Sequence, residues 1–200
     1  MKLLREYIRE LLTESIDPKI MKLIDRVEEN GWKIKVRSDT AILFDPVAVK
    51  VHGKLRWDTP GEYEAEGYGP CHGANLVGSS SAVSGFGPIL YDVAIEMSGG
   101  SGLMSDRYEV SSDARAVWNY YMSNRADVIK QQLDNVDNWL TPRKEDNCKV
   151  DIEGTGGTAI DMFPDSPRAW VDASLSKVYK KAGTPVIDEL ERRGLLVGRK

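Results

Sequence analysis

Gly85 and Gly87, separated by Phe86, stand immediately before Pro88 and the apolar run Ile89-Leu90-Tyr91-Asp92-Val93-Ala94-Ile95-Glu96-Met97. A helix that opens at Pro88 leaves the backbone N–H groups of its first turn without intrahelical partners, and the glycines let the chain turn there without a Cβ clash. Such N–H groups lie at the positive end of the helix dipole and favour an anion, a phosphate above all. A Gly-x-Gly turn equally serves as a plain connector between strand and helix, so its meaning depends on what flanks it.

Residues able to move protons gather between Asp58 and Gly73, where Pro, Gly, Glu and Tyr dominate and a surface loop is expected. Glu62, Glu64 and Glu66 are carboxylates of the kind that can act as a general base, although a solvated loop carboxylate is the commoner use of the same residue. Cys71-His72 is not a natural nucleophile–base pair, because adjacent residues neither meet on a helix nor share one face of a strand. A zinc site is poorly supplied: His52 and His72 are the two histidines, and no Cys-x-x-Cys occurs.

The elements that must position these groups can be read from periodicity. Asp17-Pro18 forms an N-cap and first helical residue, and Ile20, Leu23, Ile24 and Val27 share one face of a helix ending near Asn30-Gly31. Strands are expected over Lys33–Arg37 and Thr40–Phe44 across Ser38-Asp39, and over Val47–Val51 and Lys54–Trp57 across His52-Gly53, giving an antiparallel meander. Ala74–Val77 is a further strand, followed by the glycine turn, a helix over Pro88–Met97, a short strand at Leu103–Met104 and a helix from Ser112. A weaker helical pattern covers Val128–Val136, and Thr141–Ser166 reads as loop with short strands at Val150–Ile152 and Thr158–Met162. Asp172–Lys181 reads as a helix, and Thr184-Pro185 starts another that Gly194 stops, with fraying expected over the last few residues.

The whole chain sets limits on partners. Its 200 residues, 41% hydrophobic and 29% charged, fit one domain with a sizeable core, and no apolar run approaches a membrane span. A formal charge of −4 without a dense Lys/Arg stripe argues against nucleic acid as the main partner. Two cysteines, Cys71 and Cys148, do not imply a disulfide framework, so a reducing, cytoplasmic setting is expected. Residues 1–14 are expected to form an amphipathic helix whose apolar face carries Leu3, Leu4, Tyr7, Ile8, Leu11 and Leu12.

The order strand, glycine loop, helix, strand, helix resembles the core of GNAT-type N-acetyltransferases. That family writes its loop Arg/Gln-x-x-Gly-x-Gly/Ala; here Ala82-Val83-Ser84-Gly85-Phe86-Gly87 supplies both glycines and lacks the Arg or Gln. The family's later Ala-x-x-Leu-Tyr is met by Ala114-Arg115-Ala116-Val117-Trp118, with Trp118 at the tyrosine position. The resemblance implies an α+β fold with a mixed, mainly antiparallel GNAT-like sheet flanked by helices, spanning a core at residues 15–140 and an extension of the same domain at 141–200. It further implies acetyl-CoA as co-substrate and an amine, small-molecule or protein, as acceptor. Leu76, Val77, Val83, Ser84, Gly85, Phe86, Gly87, Pro88 and Ile89 would bind the cofactor. Glu64 or Glu66 would act as base, and Tyr120 or Tyr121 would replace the missing phenol. A P-loop is excluded, because no lysine lies between Lys54 and Lys130, and Leu90 breaks a dinucleotide fingerprint.

Residues 1–14 resemble the amphipathic leaders of some tailed-phage proteins, and Leu12-Thr13-Glu14 resembles their Leu-x-Glu cleavage sequence. Two alternatives to an acyltransferase follow from these resemblances. One is a virion-associated or packaged phage protein with a degenerate acyltransferase core and capsid association through residues 1–14. The other is a CoA-binding module without chemistry.

Overall fold

The computed structural model describes residues 16–64, 67–133, 140, 144, 147–149 and 172–198. The leader with its cleavage sequence, Glu66, and the strands expected at 150–152 and 158–162 lie outside the described residues.

The fold is α+β. The described elements run α1 (Pro18–Glu29), β1 (Lys33–Val36), β2 (Thr40–Asp45), β3 (Lys50–Asp58), α2 (Pro60–Tyr63), β4 (Asn75–Ala82), α3 (Gly87–Met97), β5 (Leu103–Met104), α4 (Ser112–Asn124), β6 (Ile129–Gln132), β7 (Lys177–Lys180), α5 (Pro185–Arg192) and β8 (Leu196–Val197). Short 3₁₀ turns lie at Cys71–Gly73, Gly99–Ser101 and Ser174–Ser176. One mixed, mainly antiparallel sheet carries the strands in the order β6-β7-β5-β4-β3-β2-β1-β8, with β4·β5 and β1·β8 parallel.

The main core lies between this sheet and α1, α3, α4 and α5, and includes Ile20, Ile24, Leu43, Leu55, Ile89, Trp118 and Ile187. A smaller cluster holds Tyr63, Leu76, Met104, Leu133 and Val178. The N-cap of α1 is as expected: Asp17 Oδ1 accepts from the N–H of Lys19 (2.9 Å) and of Ile20 (3.3 Å), and Pro18 occupies the first turn.

Several local expectations are corrected. Lys50–Asp58 is one continuous strand rather than two, because the turn falls earlier: Asp45 Oδ1 accepts from Val47 and Ala48 N–H. The helical patterns at Val128–Val136 and Asp172–Lys181 give way at Ile129–Gln132 and Lys177–Lys180 to antiparallel partners in register from Ile129↔Lys180 to Gln132↔Lys177. Long-range pairing overrides a weak local period there. Leu196–Val197, for which no strand was expected, extends the sheet beside β1. Cys71 and Cys148 are joined in a disulfide.

Candidate functional site

The sheet opens beside β4. Its parallel pairing with β5 covers Asn75↔Leu103 and Leu76↔Met104, while β4 itself continues to Ala82. Among the described residues, no strand pairs with β4 on that side beyond Leu76, so a free backbone edge faces a gap. On its other side β4 pairs with β3, and the register jumps from Trp57↔Val77 to Arg56↔Ser79. Gly78 is thereby an unpaired bulge residue on β4.

A cleft follows this edge. Its outer part, about 560 Å³, is lined by Ser80–Gly85, by Gly87, Pro88 and Tyr91 of α3, and by Asp113, Ala114 and Val117 of α4. Its inner part, about 270 Å³, reaches Val77, Gly78, Asp106, Glu109 and Trp118, and the two parts share Ser80, Tyr91, Ser111 and Ala114. The size suits a small-molecule or cofactor site.

At the outer end the loop presents donors. Gly85 has φ +84°, a left-handed turn that brings Phe86 N–H onto the Val83 carbonyl at 3.1 Å. Phe86, the N-cap of α3, has no side-chain cap, and no acidic residue sits in that helix's first turn. Among the described residues, the N–H groups of Ser84, Gly85 and Gly87 have no hydrogen-bond partner, and Ser84 and Gly85 are exposed. The helix end is thus open to an anion.

Sequence alone gave no sign of the cation beside this loop. The Arg26 guanidinium, from α1, lies 4.2 Å from the centre of the Phe86 ring. A Cβ placed on Gly85 would stand 3.6 Å from Arg26 Nη1. Lys54 of β3 lines the same outer cleft. Neither side chain has a carboxylate partner among the described residues. Comparison with protein families, curated proteins and solved structures found no match for this chain.

The expected cofactor residues divide into two groups. Val77, Val83, Ser84, Gly85, Gly87 and Pro88 line the cleft. Leu76, Phe86 and Ile89 do not: their side chains are buried in the two apolar clusters, because strand alternation and the helix face turn them inward. Of the catalytic expectations, Glu64 is exposed at the C-cap of α2 and lines neither part of the cleft. Both tyrosine hydroxyls are turned away. Tyr120 donates to Asp17, and Tyr121 is buried and donates to Asp92 Oδ2 at 2.6 Å. The Trp118 ring occupies the inner wall, edge-on to Tyr91 at 5.0 Å.

Tyr91 of α3 is the phenol on the cleft wall, its hydroxyl 3.1 Å from Ser80 Oγ. Burial raises its pKa while the Ser80 hydrogen bond lowers it, and the net direction is upward, so it stays protonated at neutral pH. The tyrosine lay within the run read as an apolar helix, where nothing distinguished it from a packing residue.

Beneath α3 lies a buried ionic layer. Arg125 clamps Asp92 through two bonds of 2.6 and 2.8 Å, and Lys181 pairs with both Asp92 and Glu96. Burial alone would raise the Asp92 pKa, but Lys181 and Arg125 outweigh it and hold the carboxyl below its ordinary value. Glu96 also accepts from the N–H of Val186 (3.1 Å) and Ile187 (2.9 Å), capping α5. These contacts tie α3, and with it the start of the glycine loop's helix, to the end of α4, to β7 and to α5.

Proposed function

We propose that the protein is an acyl-CoA-dependent N-acyltransferase of the GNAT kind, transferring an acetyl group from acetyl-CoA to an amine. The observation that carries this is the parting of β4 from β5 beside a loop in which the N–H groups of Ser84, Gly85 and Gly87 have no partner among the described residues. A pyrophosphate on the N–H groups of Ser84, Gly85 and Gly87 would be met by the Arg26 guanidinium, a cation from α1 in place of the Arg or Gln absent at Ala82. From there the free edge of β4 between Ala82 and Val77 spans about 17 Å. The amide-bearing arm of CoA can hydrogen-bond along it as an added strand would. The thioester then lies in the inner cleft, near Gly78 and beside the Tyr91–Ser80 pair, a phenol able to protonate the departing thiolate.

Thiol release from acetyl-CoA in the presence of a panel of primary amines tests this. Turnover that depends on both the amine and acetyl-CoA is the expected outcome, and none with any amine would reject the enzyme. A second possibility, a CoA-binding module without chemistry, is favoured by one observation: the Tyr120 and Tyr121 hydroxyls are committed to Asp17 and Asp92. CoA binding without thiol release would select it.

A further inference from the structure

The hairpin joining β2 to β3 turns through Pro46-Val47-Ala48-Val49, an unusual composition for a turn that serves folding alone. Val47 is 90% exposed, Val49 88%, and Val51, just inside β3, 60%. Val49 also has φ +52°, a left-handed conformation that strains a β-branched side chain and that Gly or Asn adopts readily. Single apolar residues scattered over a surface need no explanation; three valines on one tip, one of them against its backbone preference, do. The tip is braced all the same. Asp45 Oδ1 accepts from Val47 and Ala48 N–H at 2.7 and 2.9 Å, and behind the tip the His52 ring stacks on Trp32 with centres 3.8 Å apart.

Cations border these valines. Lys50, between Val49 and Val51, is exposed. Ile34 and Val36 of β1 face the core, so alternation turns Lys33 and Lys35 to the opposite, outer face of the sheet. There Lys33 stands opposite Phe44, which in turn stands opposite Val51, and Lys35 follows one repeat further along β1. Among the described residues, none of the three lysines makes an ion pair. An apolar tip thus carries a cationic collar.

We propose that this hairpin docks the protein on an anionic lipid surface. Val47, Val49 and Val51 enter the bilayer interface, and the ammonium groups of Lys33, Lys35 and Lys50 lie among the headgroup phosphates. The docking site is independent of the acyltransferase reading. Side chains as exposed as Val47 and Val49 form a protrusion, and three valines fall far short of the surface, about 800 Å² per partner, that a standard protein interface buries. A second copy meeting it tip to tip would set one lysine collar against the other. A bilayer requires no matching pocket: a few buried apolar side chains and nearby lysines give reversible binding to anionic lipid.

Co-sedimentation of the full chain with vesicles tests this, using phosphatidylcholine alone and phosphatidylcholine mixed with phosphatidylglycerol. The wild type should bind the mixed vesicles at least about tenfold more strongly than the neutral ones, and less strongly as salt rises. Combining Val47→Ser with Val49→Asn should weaken that binding at least about tenfold without lowering the melting temperature, since Asn suits the positive φ at position 49. Reversing the collar with Lys33→Glu, Lys35→Glu and Lys50→Glu should abolish the preference for phosphatidylglycerol. No binding to mixed vesicles, equal binding to both kinds, or binding that survives the valine substitutions would each overturn the proposal. So would sedimentation equilibrium showing a dimer that the valine substitutions split, which would make the tip a contact between copies of this chain.

Discussion

Individual side chains complete the cleft from distant parts of the chain. Arg26 comes from α1, Tyr91 from α3 and Lys54 from β3, and all three border the same loop or its cleft. Arg26 was legible only as one charged position on the solvent face of an amphipathic helix; that it lies over Phe86 depends on how α1 packs. Arg26→Ala should weaken acetyl-CoA binding about tenfold and reduce its salt dependence, because a charge-assisted contact to phosphate is removed. Calorimetric titration at low and high salt checks both effects. Tyr120 and Tyr121 had the right chemistry at nearly the right place in sequence, but the helix turns one to Asp17 and the other to Asp92. Residue type placed a phenol near the site, and packing decided which one faces it.

At the scale of elements, the most readable part was the run from β4 through α4, where glycine punctuation, a proline-opened helix and apolar periodicity agree. The ionic layer under α3 was half readable. Asp92 and Glu96 stand four residues apart on an otherwise apolar helix, which marks them as buried or paired, but Arg125 and Lys181 lie far along the chain. Asp92→Asn leaves the Arg125 and Lys181 charges without one carboxylate, and should cost about 3–5 kcal/mol of folding stability at neutral pH. Because the Asp92 pKa is lowered on folding, its contribution is present above the ordinary carboxylate range and lost as pH falls through the folded-state value. The stability gap between wild type and variant in urea unfolding should therefore narrow below about pH 4. β6 and β7 were misread as helix for the converse reason: their hydrogen bonds belong to each other, across a long separation that local period does not register.

For the whole molecule, the Cys71–Cys148 disulfide closes a sequence separation of 77 residues and ties the turn before β4 to the 147–149 segment. Backbone bonds flank it: Cys71 N–H donates to Asn147 O at 2.9 Å, and Lys149 N–H to Tyr68 O at 2.8 Å. Two cysteines in a chain of this length gave no reason to expect the bridge, since pairing is a property of the fold. Replacing both by serine should cost about 2–5 kcal/mol, read as a lower urea midpoint, with the loss matched by reduction of the wild type. The α+β class and the mixed sheet were implied by the resemblance to a known family, whereas the continuation of the sheet through β8 and the bulge at Gly78 required the registers. On the proposed function, the gap beside β4 holds a CoA thioester by its phosphates. Calorimetric titration of the full chain with acetyl-CoA tests it most directly. Saturable one-to-one binding tighter than about 1 mM is expected, weakened at least about tenfold for pantetheine lacking the phosphates and lost in Gly85→Val. No binding at millimolar acetyl-CoA, or equal affinity for the arm without its phosphates, would contradict it.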